Sequence, residues 1–364
     1  MPHSNPILNV DSYKLSHFLQ YPPGVRSISA YVEARGMSQR PEVVFFGLQM
    51  FLKDYLARAV TKADIMEAAE VSALHGVPFN RQGWLDIVDR HGGFLPLRIE
   101  ALPEGQVVRR GVPLIQVVNT DPDFAWLTTY VETALLRAVW YPATVASHAR
   151  RLSDMLLQAL EKTCDAPAEV LPTRLHDFGA RAATSAEKAG LGGAAHLLYF
   201  SLTDTLSGIL HARRFYGAPM AGTSYPGAEH STVTAWGPQR ETHAYRYMLD
   251  AFGDETFSVV SDSYDIANAV SEIWGKALKD RVQGLSGRLI VRPDSGDPVD
   301  TPMQAVNQLA YAFGTRLNGK GYKVIDAPVE VLQGDGASGQ DIAMILGRLE
   351  GMGFSAENIR FGMG

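Results

Sequence analysis

From about residue 170 onward, short apolar runs alternate with helix-length segments, and nearly every run stops at polar or glycine residues. This alternation is the signature of repeated βα units, which demand a largely parallel sheet covered by helices. The runs end at His176-Asp177-Phe178, Thr203-Asp204, Thr223-Ser224, Ser261-Asp262, Arg292-Pro293-Asp294, Gly334-Asp335 and Phe361-Gly362. In a closed βα barrel the C-terminal strand ends and the loops after them form the active-site face. One aspartate after a strand says little, because Asp is a common helix N-cap. Five of the seven ends carry one, which capping alone does not account for. A seven-stranded parallel sheet would leave backbone groups unpaired at an open edge. Either the count is off or the natural chain continues.

The first part of the chain has a different rhythm. Leu97–Thr120 reads as strands around a Pro-Glu-Gly turn and a second turn near Arg110-Gly111, whereas Val44–Val60 and Phe124–Trp140 carry apolar residues at helical spacing. The expected fold class is therefore α/β: an irregular (β/α)8-like barrel over 166–364, preceded by an N-terminal α+β domain over 1–165. With 364 residues, 46% of them hydrophobic, the chain is long enough for two cores. Glu132, inside an apolar helix, suits a catalytic role but reads first as a buried glutamate tied to a neighbour. Cys164 is the single cysteine, so an intrachain disulfide is excluded and a reducing compartment fits best. Met1–Val10 lacks the basic and apolar regions of a secretion leader, and no run approaches the ~20 apolar residues that span a bilayer. The expectation is a cytoplasmic protein with no membrane partner. A net charge of −6 argues against nucleic acid as a partner, but a few arginines in one cleft still suffice for an anionic small substrate.

Several strand ends carry groups suited to phosphate and sugar. Arg292 offers a planar fork of donors matched to phosphate oxygens, and Asp294, two residues on, falls on the same side of an extended chain. The pair suits a ribose hydroxyl or a magnesium-bound water, and equally an ion pair that caps a strand. Gly334 with Asp335, and Phe361-Gly362-Met363-Gly364, leave backbone N–H groups open to close approach by phosphate. His230 stands beside Glu229 and two hydroxyls, which suits a base, a phosphate ligand, a phosphorylated nucleophile or a structural histidine. Phe178 can stack on a flat ring and Arg181 can meet a phosphate. Tyr13, near the N-terminus, is otherwise a packing residue. No GxSxG elbow, HExxH zinc motif, Walker-type loop or dinucleotide GxGxxG fingerprint is present.

DSYKxxHxxQYP (11–22), LHDFGxR (175–181), TDT (203–205), AEHST (228–232), SDSYD (261–265), RPDSGxPxDT (292–301) and QGDG (333–336) occur in this order, and together they resemble the nicotinamide phosphoribosyltransferase family. The resemblance implies synthesis of nicotinamide mononucleotide and pyrophosphate from nicotinamide and phosphoribosyl pyrophosphate, in NAD salvage. It also implies Mg²⁺, ATP as a coupling co-substrate, and a homodimer whose active sites lie at the subunit interface. Phe178 is expected on one face of the nicotinamide ring and Tyr13 of the other subunit on the opposite face. Asp204 is expected to accept from the carboxamide, with His176 and Ser258 lining the nicotinamide tunnel. Arg181 and Arg292 match the pyrophosphate ligands, Asp294 a ribose ligand with Asp262 nearby, and Gly334 and Asp335 the contacts to product phosphate and ribose. His230 matches the histidine that the family phosphorylates from ATP, with Glu229 as its neighbour. Mg²⁺ is expected on pyrophosphate and waters near Asp262 and Asp294 rather than in a protein cage.

Three positions depart from that pattern: Ala180 where a tyrosine often stands, Tyr225 near the tunnel mouth where a smaller residue is common, and the chain's end at Gly364 inside an FGxGGG-like loop. The resemblance leads to the expectation that the natural chain continues, that this chain is its N-terminal three-quarters or so, and that its phosphate grip is incomplete. Two rival readings are nicotinate phosphoribosyltransferase, disfavoured by the negative charge of Asp204, and a catalytically silent dimeric binding protein on the same scaffold.

Overall fold

A computed structural model describes residues 5–35 and 41–364; residues 1–4, the start of the Met1–Val10 segment, lie outside it. The chain forms two compact units, one of Met1–His148 with His211–Gly217, the other of Ala149–Leu210 with Ala218–Gly364. The division falls inside the long Glu132–Thr163 helix.

Among the described residues the first unit contains five strands, β1 (Ser29–Glu33), β2 (Glu42–Val44), β3 (Leu97–Ala101), β4 (Val107–Arg109) and β5 (Pro113–Asn119). They form an antiparallel sheet ordered β1-β5-β3 and a separate β2-β4 pair. The Leu97–Thr120 reading therefore holds. Val44 belongs to β2, and the helical turns start only at Leu48. Helix boundaries follow local chemistry: Thr61 and Asp64 make a capping box before Lys62–His75, and Gly76 closes it in the left-handed conformation. Glu132 accepts from the buried Lys14 Nζ at 2.5 Å, so it is tied to a neighbour as expected, but it is itself exposed, not buried.

In the second unit, β6 (Leu175–Asp177), β7 (Leu202–Thr203), β8 (Thr256–Val260), β9 (Arg288–Arg292), β12 (Val329–Gln333) and β13 (Ile359–Met363) build one sheet ordered β7-β6-β13-β12-β9-β8. Every neighbouring pair is parallel. A hairpin of β10 (Thr315–Leu317) and β11 (Lys323–Ile325) stands apart from it. The third expected run does not become a strand. Thr223 bridges Leu202 and Gly227 bridges Ser258, so one irregular segment bonds to both edge strands of the sheet. Pro226 has no N–H to donate, and its carbonyl accepts instead from the Ser258 N–H at 2.8 Å. The open edge feared from the sequence is thus covered from within the chain. The result is an irregular α/β barrel.

Period-two alternation divides the barrel strands between two environments. Leu175, Phe257, Val259, Leu289, Val291, Val329, Val331, Ile359 and Phe361 join the apolar core shared with the helices. The alternating residues face the other way. Among them, Glu330 bonds Arg174 at 3.0 Å, Arg360 at 2.6 Å and Arg288 at 2.8 Å. Burial alone would raise the Glu330 pKa, but the Arg174, Arg360 and Arg288 charges outweigh it and hold the carboxyl at about 2. No helix among the described residues is long and apolar enough to cross a membrane.

Candidate active site

The strand ends of the second unit gather most of the residues singled out from sequence. Phe178 follows β6 directly, and its N–H donates to the Met363 carbonyl of β13 at 2.8 Å, pinning its backbone to the neighbouring strand. Its ring lies 4.8 Å from the His176 ring, tilted by 37°. His176 is buried, and its Nε2 lies 3.0 Å from Asp204 Oδ1, just after β7. Ser224 donates to the same oxygen at 2.5 Å. Burial would raise the Asp204 pKa, yet the hydrogen bonds and charge of His176 and the Ser224 hydroxyl lower it overall. An ionised, half-exposed carboxylate beside an aromatic ring is suited to accept an N–H from a flat ligand. Tyr225 meets His176 edge-on at 5.2 Å, and Arg360 lies 5.9 Å from the Tyr225 ring. Tyr225 thus stands between His176 and Arg360, a partner of Glu330.

A second constellation lies at the ends of β8 and β9. His230 opens the short His230–Thr234 helix, and its Nε2 stands 3.1 Å from Asp262 Oδ1. The other Asp262 oxygen accepts from the Asp294 N–H at 3.0 Å and from the Ser295 N–H and hydroxyl, each at 2.5 Å. These bonds outweigh burial and depress the Asp262 pKa. Asp294 goes the opposite way. Burial raises its pKa, Asp262 adds to the rise, and Arg292, whose Nε lies 2.9 Å from Asp294 Oδ1, only partly offsets it. Two neighbouring carboxylates are therefore pushed apart in acidity, a pattern that favours functional sites. Glu229 is exposed and accepts from the Ser231 hydroxyl, while its N–H donates to Thr232 Oγ1 at 3.2 Å.

Arg181 and Asp335 are exposed on the loops after β6 and β12. Gly334 lies against the Phe178 ring and the Arg292 side chain. Ser258 is buried in β8 and is bonded through its backbone to Pro226 and Ala228. Tyr13 belongs to the first unit, exposed and edge-on to His17 at 4.8 Å. The expected aspartates are not equivalent: Asp177 is buried and bonded to the Gly179 N–H and the Thr203 hydroxyl, which marks it as a structural tie. The sequence reading missed Ser224 and Ser295 as partners of the key carboxylates. Ser224 was itself an expected run end and Ser295 follows one, the signal that pointed to them.

No group of three or more His, Cys, Asp or Glu side chains among the described residues is arranged to hold a metal. Both oxygens of Asp262 are engaged and one of Asp294 faces Arg292. The donor set therefore suits a cation that arrives bound to a phosphate ligand better than a resident one.

Residues 5–99 match the family model described as nicotinamide phosphoribosyltransferase, N-terminal domain, and residues 173–364 match that of the nicotinate phosphoribosyltransferase (NAPRTase) family. A nicotinamide phosphoribosyltransferase of Xanthomonas campestris pv. campestris is 50% identical over 362 residues, covering 99% of this chain and 77% of the relative. One from Acinetobacter baylyi is 31% identical over 399 residues, covering 99% and 78%. Among solved structures, nicotinate-nucleotide pyrophosphorylase from Pyrococcus furiosus superposes with a TM-score of 0.63 at 16% identity, over 100% of this chain and 73% of that one. Human nicotinic acid phosphoribosyltransferase does so with a TM-score of 0.60 at 20% identity, over 97% and 72%. These two likenesses establish the barrel fold.

Proposed function

The chain belongs to the nicotinamide phosphoribosyltransferase family, a pentosyltransferase family of NAD salvage, and on that premise we propose that it joins nicotinamide to phosphoribosyl pyrophosphate, forming nicotinamide mononucleotide and pyrophosphate. The observation that carries the choice of nicotinamide is Asp204. Its carboxylate is kept ionised by Ser224 and by His176, whose ring lies 4.8 Å from that of Phe178. An ionised acceptor gains a hydrogen bond from a carboxamide NH2 and repels the carboxylate of nicotinate.

The pyridine nitrogen is already nucleophilic, so the reaction needs no strong base. The difficult event is departure of pyrophosphate from the anomeric carbon as the ribose gains oxocarbenium character. Phe178 on one face of the ring, and Tyr13 of a second subunit on the other, would hold the nitrogen in line. Arg292 and Arg181 would bind the leaving phosphates, whose charge they offset. Asp294 would hold ribose hydroxyls, with Gly334 and Asp335 at the product's phosphate and ribose. Mg²⁺ bound to the pyrophosphate, near Asp262 and Asp294, would supply further charge neutralisation. A homodimer is part of this reading because Tyr13 acts in trans, and a cytoplasmic location fits the lone buried thiol of Cys164.

His230 is the proposed site of phosphorylation by ATP, with Glu229 alongside. Asp262 takes up its Nε2, which leaves Nδ1 as the nitrogen available to a phosphoryl group. The coupling would favour tighter substrate binding and a more favourable equilibrium.

The test is pyrophosphate release from phosphoribosyl pyrophosphate with nicotinamide or nicotinate in parallel. Nicotinamide is expected to support turnover and nicotinate is not; equal use of both would overturn the assignment. Labelled ATP tests the second claim, since His230→Ala should abolish incorporation, and retained label would exclude His230 as acceptor. A protein that turns over neither pyridine would instead be the silent binding protein.

A further inference from the structure

We propose that Gly362, assisted by Gly334, is a positioning residue that seats the Phe178 ring and so fixes the width of the slot in which the pyridine stacks. The inference rests on the reading of Phe178 as a stacking residue and adds what places its ring.

Glycine inside a strand needs a reason, because it packs nothing and costs conformational entropy. Gly362 lies inside β13, paired in register with His176 of β6. Neither Gly362 nor Gly334 adopts the left-handed backbone that would demand glycine. Space is the reason that remains. A Cβ on Gly362 would stand 2.1 Å from Phe178 Cε2, 2.6 Å from Phe178 Cδ2 and 3.1 Å from the Gly334 Cα. A Cβ on Gly334 would meet Phe178 Cε2 at 3.0 Å. The ring therefore rests on two bare Cα atoms, one inside β13 and one just past the end of its neighbour β12, and its backbone is tied to β13 through the Met363 carbonyl.

Carbon atoms in contact sit about 3.5–4.0 Å apart, so an alanine at 362 pushes the ring by more than about 1 Å. The two nearest atoms in the way belong to the far edge of one side chain, and the third, the Gly334 Cα at 3.1 Å, is backbone that has to give by only a few tenths of an ångström. The fold survives by letting the ring rotate, and the displacement is spent on the stacking slot. Misplacing a substrate by about 1 Å can cost about 100-fold.

The experiment is a double-mutant cycle in the full chain, reading KM and kcat for each substrate together with the melting temperature. Gly362→Ala should raise KM for nicotinamide at least about tenfold, change KM for phosphoribosyl pyrophosphate less than about twofold, and leave a cooperative melt. Gly334→Ala, with its milder contact, should give a smaller rise in KM for nicotinamide that disappears in a Phe178→Ala background; its effect on KM for phosphoribosyl pyrophosphate is scored separately because Gly334 also faces the phosphate side, and this pair of variants carries the test if Gly362→Ala does not fold. Gly347→Ala, where an added Cβ meets nothing within 4 Å, should match wild type. In a Phe178→Ala background the Gly362→Ala change should have less than about a twofold further effect on KM for nicotinamide. An unchanged KM in Gly362→Ala, or an equal loss with and without the Phe178 ring, would overturn the seat. If Phe178→Ala alone leaves KM for nicotinamide unchanged, the stacking reading fails and the seat falls with it.

Discussion

Replacing Glu330 by glutamine should destabilise the barrel unit by several kcal/mol without touching the proposed substrate groups. Glu330 is buried and shared by three guanidinium groups, two of them also buried. Its pKa falls from 4.5 to about 2: burial pushes it up and the three arginines pull it further down. That difference of about 2.5 units corresponds to about 3 kcal/mol. The figure agrees with the ~3–5 kcal/mol typical of removing one partner from a buried ion pair. For a carboxylate whose folded pKa is depressed, the contribution is fully present above the unfolded value of 4.5 and is lost as pH falls towards about 2. A unit of roughly 200 residues loses about 2–4 °C per kcal/mol, so Glu330→Gln should melt about 6–12 °C lower near pH 7. Scanning calorimetry of wild type and variant at pH 7, 5 and 3.5 measures the gap, which should hold to about pH 5 and then narrow. A gap under 2 °C at pH 7 would refute the reasoning, as would one that stays constant down to pH 3.5.

Asp204→Asn keeps the shape and removes the charge, and a charge-assisted hydrogen bond is worth about 1.5–3 kcal/mol, so kcat/KM for nicotinamide should fall about 10- to 100-fold in steady-state assays; an unchanged value would remove Asp204 from the site. Burial and the neighbouring Asp262 raise the Asp294 pKa, so if its ionised form holds the ribose, kcat/KM for phosphoribosyl pyrophosphate should drop on the acid side at a pH above the ordinary carboxylate range. A pH profile of Asp294→Asn should lack that limb, and a profile identical to wild type would assign the titration elsewhere.

The βα rhythm, the polar ends of the runs and the α+β start were legible in the sequence, because strand and helix periods and turn chemistry are local properties. The candidate site residues, apart from Tyr13 and the Glu229-His230 pair, sit at or within a few residues of a strand's C-terminal end, where the sequence pattern placed them. The Thr223-Ser224 run misled: its apolar residues look like a strand, but the proline and glycine that follow permit only two bridges. What the sequence left open was partnership. That Asp177 is a tie while Asp204 and Asp262 hold histidines depends on which strand lies beside which. The order β7-β6-β13-β12-β9-β8 sets Leu175 beside Phe361, so Phe178 meets a glycine that lies far along the chain. Alternation determines which side of a strand a residue occupies. Only the closing of the sheet decides what stands across from it, because those contacts are made by packing many segments at once and leave no local period to read.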